Sequence, residues 1–399
     1  MFDHLKSLPA DPILGLLATY RADDNPNKID LGVGVYKDEA GHTPVLQAVK
    51  EAETRLLRGE ETKAYIGPAG TPGFNSAMQE LVLGAGHPAL VGNRVRSAQT
   101  PGGCGALRVL AEFSDRAKAG ATIWVSDPTW ANHVPLLGNA GLEIKSYPYY
   151  DRATSSLQFD AMVETLKQVG EGDLVLFHAC CHNPCGADLT REQWKVLAEM
   201  AQKQGFTPFI DMAYQGFGDS LEADAYGLRL MAESVPEMLV AASCSKNFGL
   251  YRERVGLAMV IYSDAAAADR GQSQLLNVVR GNYSMPPNHG GAIVESILTD
   301  AGLRANWEAE LTEMRERINS LRSGVVESLR DAGAAGDFSF IEKQKGMFSF
   351  LGITPEQVHK LQQDYSIYMV DSSRISIAGL SQSNMAYFCK SVAEVLDAG

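Results

Sequence analysis

No apolar run in this 399-residue chain approaches the length of a membrane span; longer runs such as Val255 to Tyr262 fall far short of it. The opening Met1-Phe-Asp-His-Leu-Lys-Ser-Leu-Pro-Ala10 lacks the basic start and apolar core of a secretory leader, so a cytoplasmic enzyme is expected. Positive charge is also short: 35 Lys and Arg stand against 48 Asp and Glu, a formal net charge of −13. That balance argues against a nucleic-acid partner, because binding a phosphate backbone takes an excess of cations. Small anionic substrates stay open, since a few buried arginines set the local field. Only six cysteines occur, and three cluster in His178-Ala-Cys180-Cys181-His182-Asn-Pro-Cys185. No second Cys/His pair lies at zinc-finger spacing. Adjacent cysteines on a strand also point to opposite faces, so no metal is expected and the thiols are expected reduced. Internal repeats and low-complexity tracts are missing too. What remains is an ordinary globular composition, 45% apolar and 21% charged, with length for two or three domains.

Several apolar, β-like runs end in polar or Gly/Pro-bearing turns, with helical patterns between them. The clearest are Thr122 to Asp127, Leu174 to His178, Pro208 to Asp211, Met238 to Ser243 and Leu257 to Tyr262. Strands alternating with helices predict a mostly parallel α/β sheet covered on both faces, with ligands held outside the strands' carboxyl ends. From about Leu303 the pattern changes. Trp307 to Leu329 reads as one long, charged amphipathic helix, followed by shorter elements around Phe338 to Phe350 and a last helix from about Asn384. The boundaries expected are a large domain over 46–312 and a discontinuous small α+β domain from 1–45 and 313–399, with an N-terminal arm over about 1–10.

The chemistry concentrates in Ala241-Ala-Ser-Cys-Ser-Lys246-Asn-Phe-Gly-Leu-Tyr-Arg-Glu-Arg254. A lysine among small hydroxyls after a strand, with an arginine close behind, is what a pyridoxal phosphate site needs. The amine forms an imine (Schiff base) with the aldehyde, hydroxyls hold the phosphate, and the guanidinium neutralises it. Thr100-Pro-Gly102-Gly103-Cys104-Gly105 opens a helix with glycines, whose N–H groups favour an anion. It is neither a Rossmann fingerprint nor a Walker A loop. Asp211, at the end of a strand, would be costly unless it met a cation such as a protonated pyridine nitrogen; a helix N-cap is the competing reading. Tyr214 and Asn183 are placed to reach a ring oxygen, and Trp130 to stack on the ring, with a core Trp as the alternative. His133 backs Asp211 or is a structural histidine.

These motifs resemble the class I (subgroup Iα) aminotransferases, specifically the bacterial aspartate and aromatic amino acid enzymes. The likeness runs nearly end to end: Asp11-Pro-Ile-Leu-Gly, Leu31-Gly-Val-Gly-Val-Tyr-Lys-Asp38, Gln99-Thr-Pro-Gly-Gly, Cys180-Cys-His-Asn-Pro, Ala213-Tyr-Gln-Gly-Phe, Ser245-Lys-Asn-Phe-Gly, Asn282-Tyr-Ser-x-Pro-Pro287 and Gly346-Met-Phe-Ser. The resemblance implies the fold type I architecture of PLP-dependent transferases, with a mostly parallel seven-stranded sheet between helices, and a homodimer whose active sites are shared across the interface. It implies that Lys246 carries the imine, Asp211 pairs the pyridine nitrogen, Tyr214 and Asn183 bind the ring oxygen, and Trp130 stacks on the ring. Ser243, Ser245, Arg254, Gly103 and Cys104 match the phosphate cradle, with Tyr65 reaching in from the other subunit. Arg374 and the backbone of Gly34 match the grip on the substrate α-carboxylate. Arg280 matches the arginine that crosses to a second carboxylate. Amino acid and 2-oxo acid substrates, 2-oxoglutarate among them, and ping-pong kinetics follow from the same likeness.

The chain departs from that pattern at Cys104 and Cys185, where hydroxyl residues are usual, and at Ser376, where Asn is common. Val35, Lys37 and Thr43 resemble aspartate-specific members. Ala64 and Met285 replace the usual asparagines and lower the cost of admitting a ring. An aromatic amino acid aminotransferase that still accepts dicarboxylates is therefore expected, with aspartate aminotransferase as the alternative reading. A PLP-binding regulatory module without turnover is disfavoured, because the proton-transfer set is complete and no DNA-binding extension is visible.

Overall fold

The computed structural model describes residues 2–7 and 12–397. Part of the expected N-terminal arm, and Asp11 of the first family motif, lie outside the described residues. The chain divides into two compact units: Thr43–Arg317 with Gln344–Gly346, and Met1–His42 with Ile318–Lys343 and Met347–Gly399.

The larger unit is organised by a seven-stranded sheet: β1 Val95–Pro101, β2 Thr122–Asp127, β3 Glu143–Pro148, β4 Leu174–His178, β5 Thr207–Met212, β6 Met238–Ser243 and β7 Val255–Ile261. Their order across the sheet is β1-β7-β6-β5-β4-β2-β3. Every neighbour is parallel except β7, which runs antiparallel to both β1 and β6. The carboxyl ends of β1, β2, β4, β5 and β6 therefore share one edge, and β7 starts there. β6 and β7 are buried along their whole length, which explains their unbroken apolar sequences. The helices between the strands are delimited by local chemistry. Thr190 and Gln193 form a reciprocal cap before Arg191–Gln204, and Gly205 closes that helix at φ +75°. Asp264 caps Ala265–Asn282, and Thr71 followed by Pro72 starts Pro72–Leu83. Among the described residues no helix is long and apolar enough to cross a membrane.

The smaller unit contains two short ribbons: Ile29–Asp30 parallel to Ile367–Tyr368, and Phe348–Phe350 antiparallel to Arg374–Ser376. Helices Pro355–Tyr365 and Gln382–Asp397 complete it, together with the second part of the long helix Ala301–Asp331. Arg322, 1% exposed, donates to the carbonyls of Ile341 (2.9 Å) and Phe348 (2.7 Å), so its charge joins separate segments of that unit from within.

Candidate active site

The shared edge of the sheet collects the residues singled out in sequence. Lys246 follows β6, Asp211 is the penultimate residue of β5, and Tyr214 lies three positions beyond it. Asn183 follows β4, Trp130 follows β2, and Gly103 and Cys104 open the helix Gly102–Ala117 that continues β1. Arg254 immediately precedes β7 and sits in the left-handed region at φ +57°. A parallel sheet sets all these loops on one side, as the strand pattern predicts.

Lys246 Nζ stands 4.8 Å above the centroid of the Tyr214 ring. Burial pulls its ammonium below the ordinary lysine value, and the Asp211 charge works against that shift. Asp211 is 8% exposed. Burial disfavours its charge, but His133 Nε2 donates to Oδ2 at 3.0 Å and the net effect holds the carboxyl below its usual range. His133 is wholly buried, so this is the supported acid of the two readings rather than an N-cap. Thr129 Oγ1 joins His133 Nδ1 (2.8 Å) to His178 Nε2 (3.2 Å), and the rim of Trp130 meets the His133 ring edge-on at 5.2 Å between centroids.

The glycines at the end of β1 form a cradle. Gly102 has φ +72°, and a Cβ there would lie 2.4 Å from the Arg254 guanidinium. A Cβ on Gly103 would lie 3.1 Å from the Ser243 side chain. Arg254 Nη1 reaches Ser245 Oγ at 3.4 Å and the Tyr251 carbonyl at 2.9 Å. Backbone N–H groups at a helix start, two hydroxyls and a guanidinium come together at the end of β1, and that donor set suits a phosphate. Cys104 is half-buried in the first helical turn, 4.0 Å from Asn132 Nδ2. Asn183 is buried, and its Oδ1 has no partner among the described residues.

Tyr65, 93% exposed, and Arg280, exposed in the last turn of Ala265–Asn282 beside the Ser284 hydroxyl, lie on the surface of this unit. Arg374 and Gly34 belong to the smaller unit. There the Arg374 guanidinium lies 4.5 Å over the Phe348 ring and donates to the Gly32 carbonyl at 2.6 Å. A Cβ on Gly34 would come within 2.7 Å of the same ring, so both face Phe348.

One expectation needs correction. Cys180 and Cys181 do not point to opposite faces: their sulfurs and a carboxylate oxygen of Asp224 all lie within 4.8 Å of one another. The strand ends at His178, and Cys181 turns to φ +52°, which brings the thiols together. Asp224 already accepts from the amides of Gly216, Gly218, Asp219 and Ser220, and the contact with Cys181, then burial, push the Cys180 thiol well up. The cluster is held by hydrogen bonds. Sequence reasoning also missed Thr129 and His178. The signal for His178 was its position at the end of β4, where it registers directly with Asp211.

The model of the aminotransferase class I and II family matches residues 26–392. The chain is 50% identical to an aspartate aminotransferase of Escherichia coli (strain K12) over 99% of this chain and 100% of that one. It is 46% identical to an aromatic-amino-acid aminotransferase of Paracoccus denitrificans, again over 99% and 100%. A crystal structure of the aromatic-amino-acid aminotransferase from Burkholderia pseudomallei, covalently bound to pyridoxal phosphate, superposes with a TM-score of 0.97 at 43% identity, covering 99% of each chain. Such agreement along almost the entire sequence leaves one assignment: the chain belongs to the class I and II aminotransferases.

Proposed function

We propose that this aminotransferase uses pyridoxal phosphate to move the amino group of phenylalanine, tyrosine, tryptophan or aspartate to 2-oxoglutarate, reversibly and by ping-pong turnover. The observation that carries the reading is the placement of Asp211 at the end of β5 and of Lys246 after the adjacent β6, beside the glycine cradle closed by Arg254. The residues present fit the cofactor: the cradle suits its phosphate, and the buried carboxylate suits a protonated pyridine nitrogen.

Bound there, the cofactor supplies an electron sink for the charge left at the substrate Cα when a proton departs. Lys246 is the base for that proton, and the lowered ammonium makes its neutral amine available. Asp211 takes the ring nitrogen, Tyr214 and Asn183 the ring oxygen, and Trp130 the ring face. Gly103, Cys104, Ser243, Ser245 and Arg254 hold the phosphate. Arg374, with the Gly34 backbone, is assigned the α-carboxylate, which a guanidinium grips with two parallel hydrogen bonds. Tyr65 and Arg280 are assigned to the neighbouring active site of a homodimer. The exposure of Tyr65 and of Leu57 on the helix Gln47–Gly59, at 93% and 84%, supports a covering partner there.

Ala64 and Met285 support the aromatic preference, because small or apolar side chains admit a ring without leaving amide groups unpaired. Arg280 must then move aside when a ring enters, since a buried unpaired guanidinium would oppose binding. A second reading, aspartate aminotransferase, is favoured by the likeness to the Escherichia coli enzyme.

Borohydride reduction and peptide mapping are expected to place a pyridoxyl group on Lys246; an adduct elsewhere, or none, overturns the assignment. Single-turnover amination of the cofactor with phenylalanine and aspartate side by side decides preference. A far greater rate constant over Kd for aspartate would establish the second reading.

A further inference from the structure

The hydrogen bonds behind Asp211 extend past His133, and their directions can be worked out from a fixed end. Tyr147 donates its phenol proton to the Leu176 carbonyl of β4 at 2.7 Å, so the phenol oxygen can only accept from other groups. Burial pushes the Tyr147 phenol well up, and the nearby Ser126 hydroxyl works in the opposite sense. Ser126 Oγ meets His182 Nε2 at 3.0 Å. Burial, followed by the neighbouring His178 and His133, pushes His182 well below the ordinary histidine value, so the ring is neutral and carries one proton.

The group facing Nδ1 is the sulfur of Cys185, 3.1 Å away and fully buried. Burial pushes this thiol well up, so the S–H is present. Its other acceptor, the Ala187 carbonyl, is 4.0 Å away and already receives the Tyr149 phenol at 2.8 Å. Distance directs the thiol proton to His182 Nδ1, so the imidazole proton sits on Nε2 and is donated to Ser126 Oγ. The oriented imidazole stacks on Tyr149 at 4.1 Å and meets the tilted His178 ring at 4.0 Å, and His178 is joined through Thr129 to the His133–Asp211 pair.

We propose that Cys185 is a positioning residue: its S–H fixes His182 in the tautomer that donates to Ser126, and so sets the imidazole packed against the His178 end of the Asp211 support. The functional half of this inference rests on Asp211 serving the cofactor nitrogen; the tautomer half does not.

The test compares Cys185→Ser with Cys185→Ala. Both lose similar volume, and only the first keeps a donor. Long-range proton–nitrogen correlation spectra of histidine-labelled protein, cofactor-free and loaded, report which ring nitrogen of His182 carries the proton; a His182→Asn variant assigns its signal among the eight histidines. Expected are an Nε2–H tautomer in the unchanged protein and in Cys185→Ser, and a mixture of tautomers in Cys185→Ala. Transamination in the loaded enzyme should fall about tenfold in kcat in Cys185→Ala and recover in Cys185→Ser, the size of effect seen when a partner orienting a functional imidazole is removed. A proton on Nδ1 in the unchanged protein, or indistinguishable spectra for Ser and Ala, overturns the assignment. The cofactor-free spectra do not depend on the role of Asp211, so a failure of the cofactor reading is told apart from a failure of this one.

Discussion

His133 Nε2 donates to Asp211 Oδ2 at 3.0 Å, and this bond, together with the nearby His178 and Lys246, outweighs the burial of a carboxylate at the end of a strand. Without it, desolvation would raise the acid and weaken its hold on a cationic partner. Asp211→Asn should keep the side chain's shape and remove its charge. We expect kcat to fall roughly 10²–10³-fold, the usual loss when one preorganised electrostatic partner is removed, with the pyridoxyl adduct on Lys246 still formed. Activity within a factor of about three of the parent would remove Asp211 from the mechanism.

The buried histidines predict acid sensitivity. Burial, then the neighbouring His133, pushes His178 down to about 3 from 6.5, and His182 shifts in the same direction. An unfolded histidine takes a proton near pH 6.5, whereas His178 in the fold resists it until near pH 3. The unfolded chain therefore binds more protons in that window. The stabilisation is fully present above pH 6.5 and is lost as the pH falls, by about 1.4 kcal/mol per unit for each histidine. Urea midpoints of the cofactor-free protein at constant ionic strength should fall between pH 6.5 and 5.0. The corresponding loss is about 2 kcal/mol per histidine. A flat profile over that interval would mean both rings accept protons in the fold.

Where the helices Arg191–Gln204 and Tyr226–Ser234 meet, the Trp194 indole occupies the space a side chain at Gly227 would need. A Cβ there would come within 2.2 Å of Trp194 Cε2. Gly227→Ala gains about 1 kcal/mol of helix propensity, but overpacking costs about 1–3 kcal/mol, so a net loss near 1 kcal/mol is expected. Adding Trp194→Phe to Gly227→Ala should recover part of it. Additive losses in the double-mutant cycle would show that the two residues do not compete for the same space.

How much of this was legible follows from where the side chains' partners lie. β2, β4 and β6 read directly from sequence because strands covered on both faces are nearly continuous apolar runs. β1 and β3 carry no such run. β3 is an edge strand with most of its side chains exposed or half-exposed. β1 buries Ser97, Gln99 and Thr100, and their polarity is met from afar: Asn75 and Gln79 bond Ser97, and the Pro287 carbonyl accepts from Gln99. Lys246, Asp211 and Asn183 were recoverable because each lies at or after the end of a strand with a clear pattern. The pairing of Cys180 with Cys181, and the chain from Cys185 to Ser126, were not. They depend on a left-handed turn at Cys181 and on contacts between β2, β3 and the loop after β4, which no local spacing encodes.

Cys104 offers the last prediction. It stands in the first turn of Gly102–Ala117, at the mouth of the cradle, where relatives in the resemblance carry a hydroxyl. Asn132 Nδ2 is 4.0 Å from its sulfur, at the outer limit for a hydrogen bond to sulfur. A thiol is a weaker donor than a hydroxyl, so a phosphate held here loses part of one hydrogen bond while the backbone N–H groups and Arg254 keep theirs. Exchanging sulfur for oxygen restores that bond without disturbing the helix, because the residue lies in the terminal turn where an intrahelical bond is not yet required. Cys104→Thr should therefore slow release of the cofactor about three- to tenfold, roughly the value of a net hydrogen bond, while leaving the urea midpoint of the cofactor-free protein within about 0.5 kcal/mol. Stopped-flow capture of released pyridoxal phosphate measures the first quantity. Equal release rates in the two proteins would mean that residue 104 does not contact the phosphate, and the cradle would have to be drawn without it.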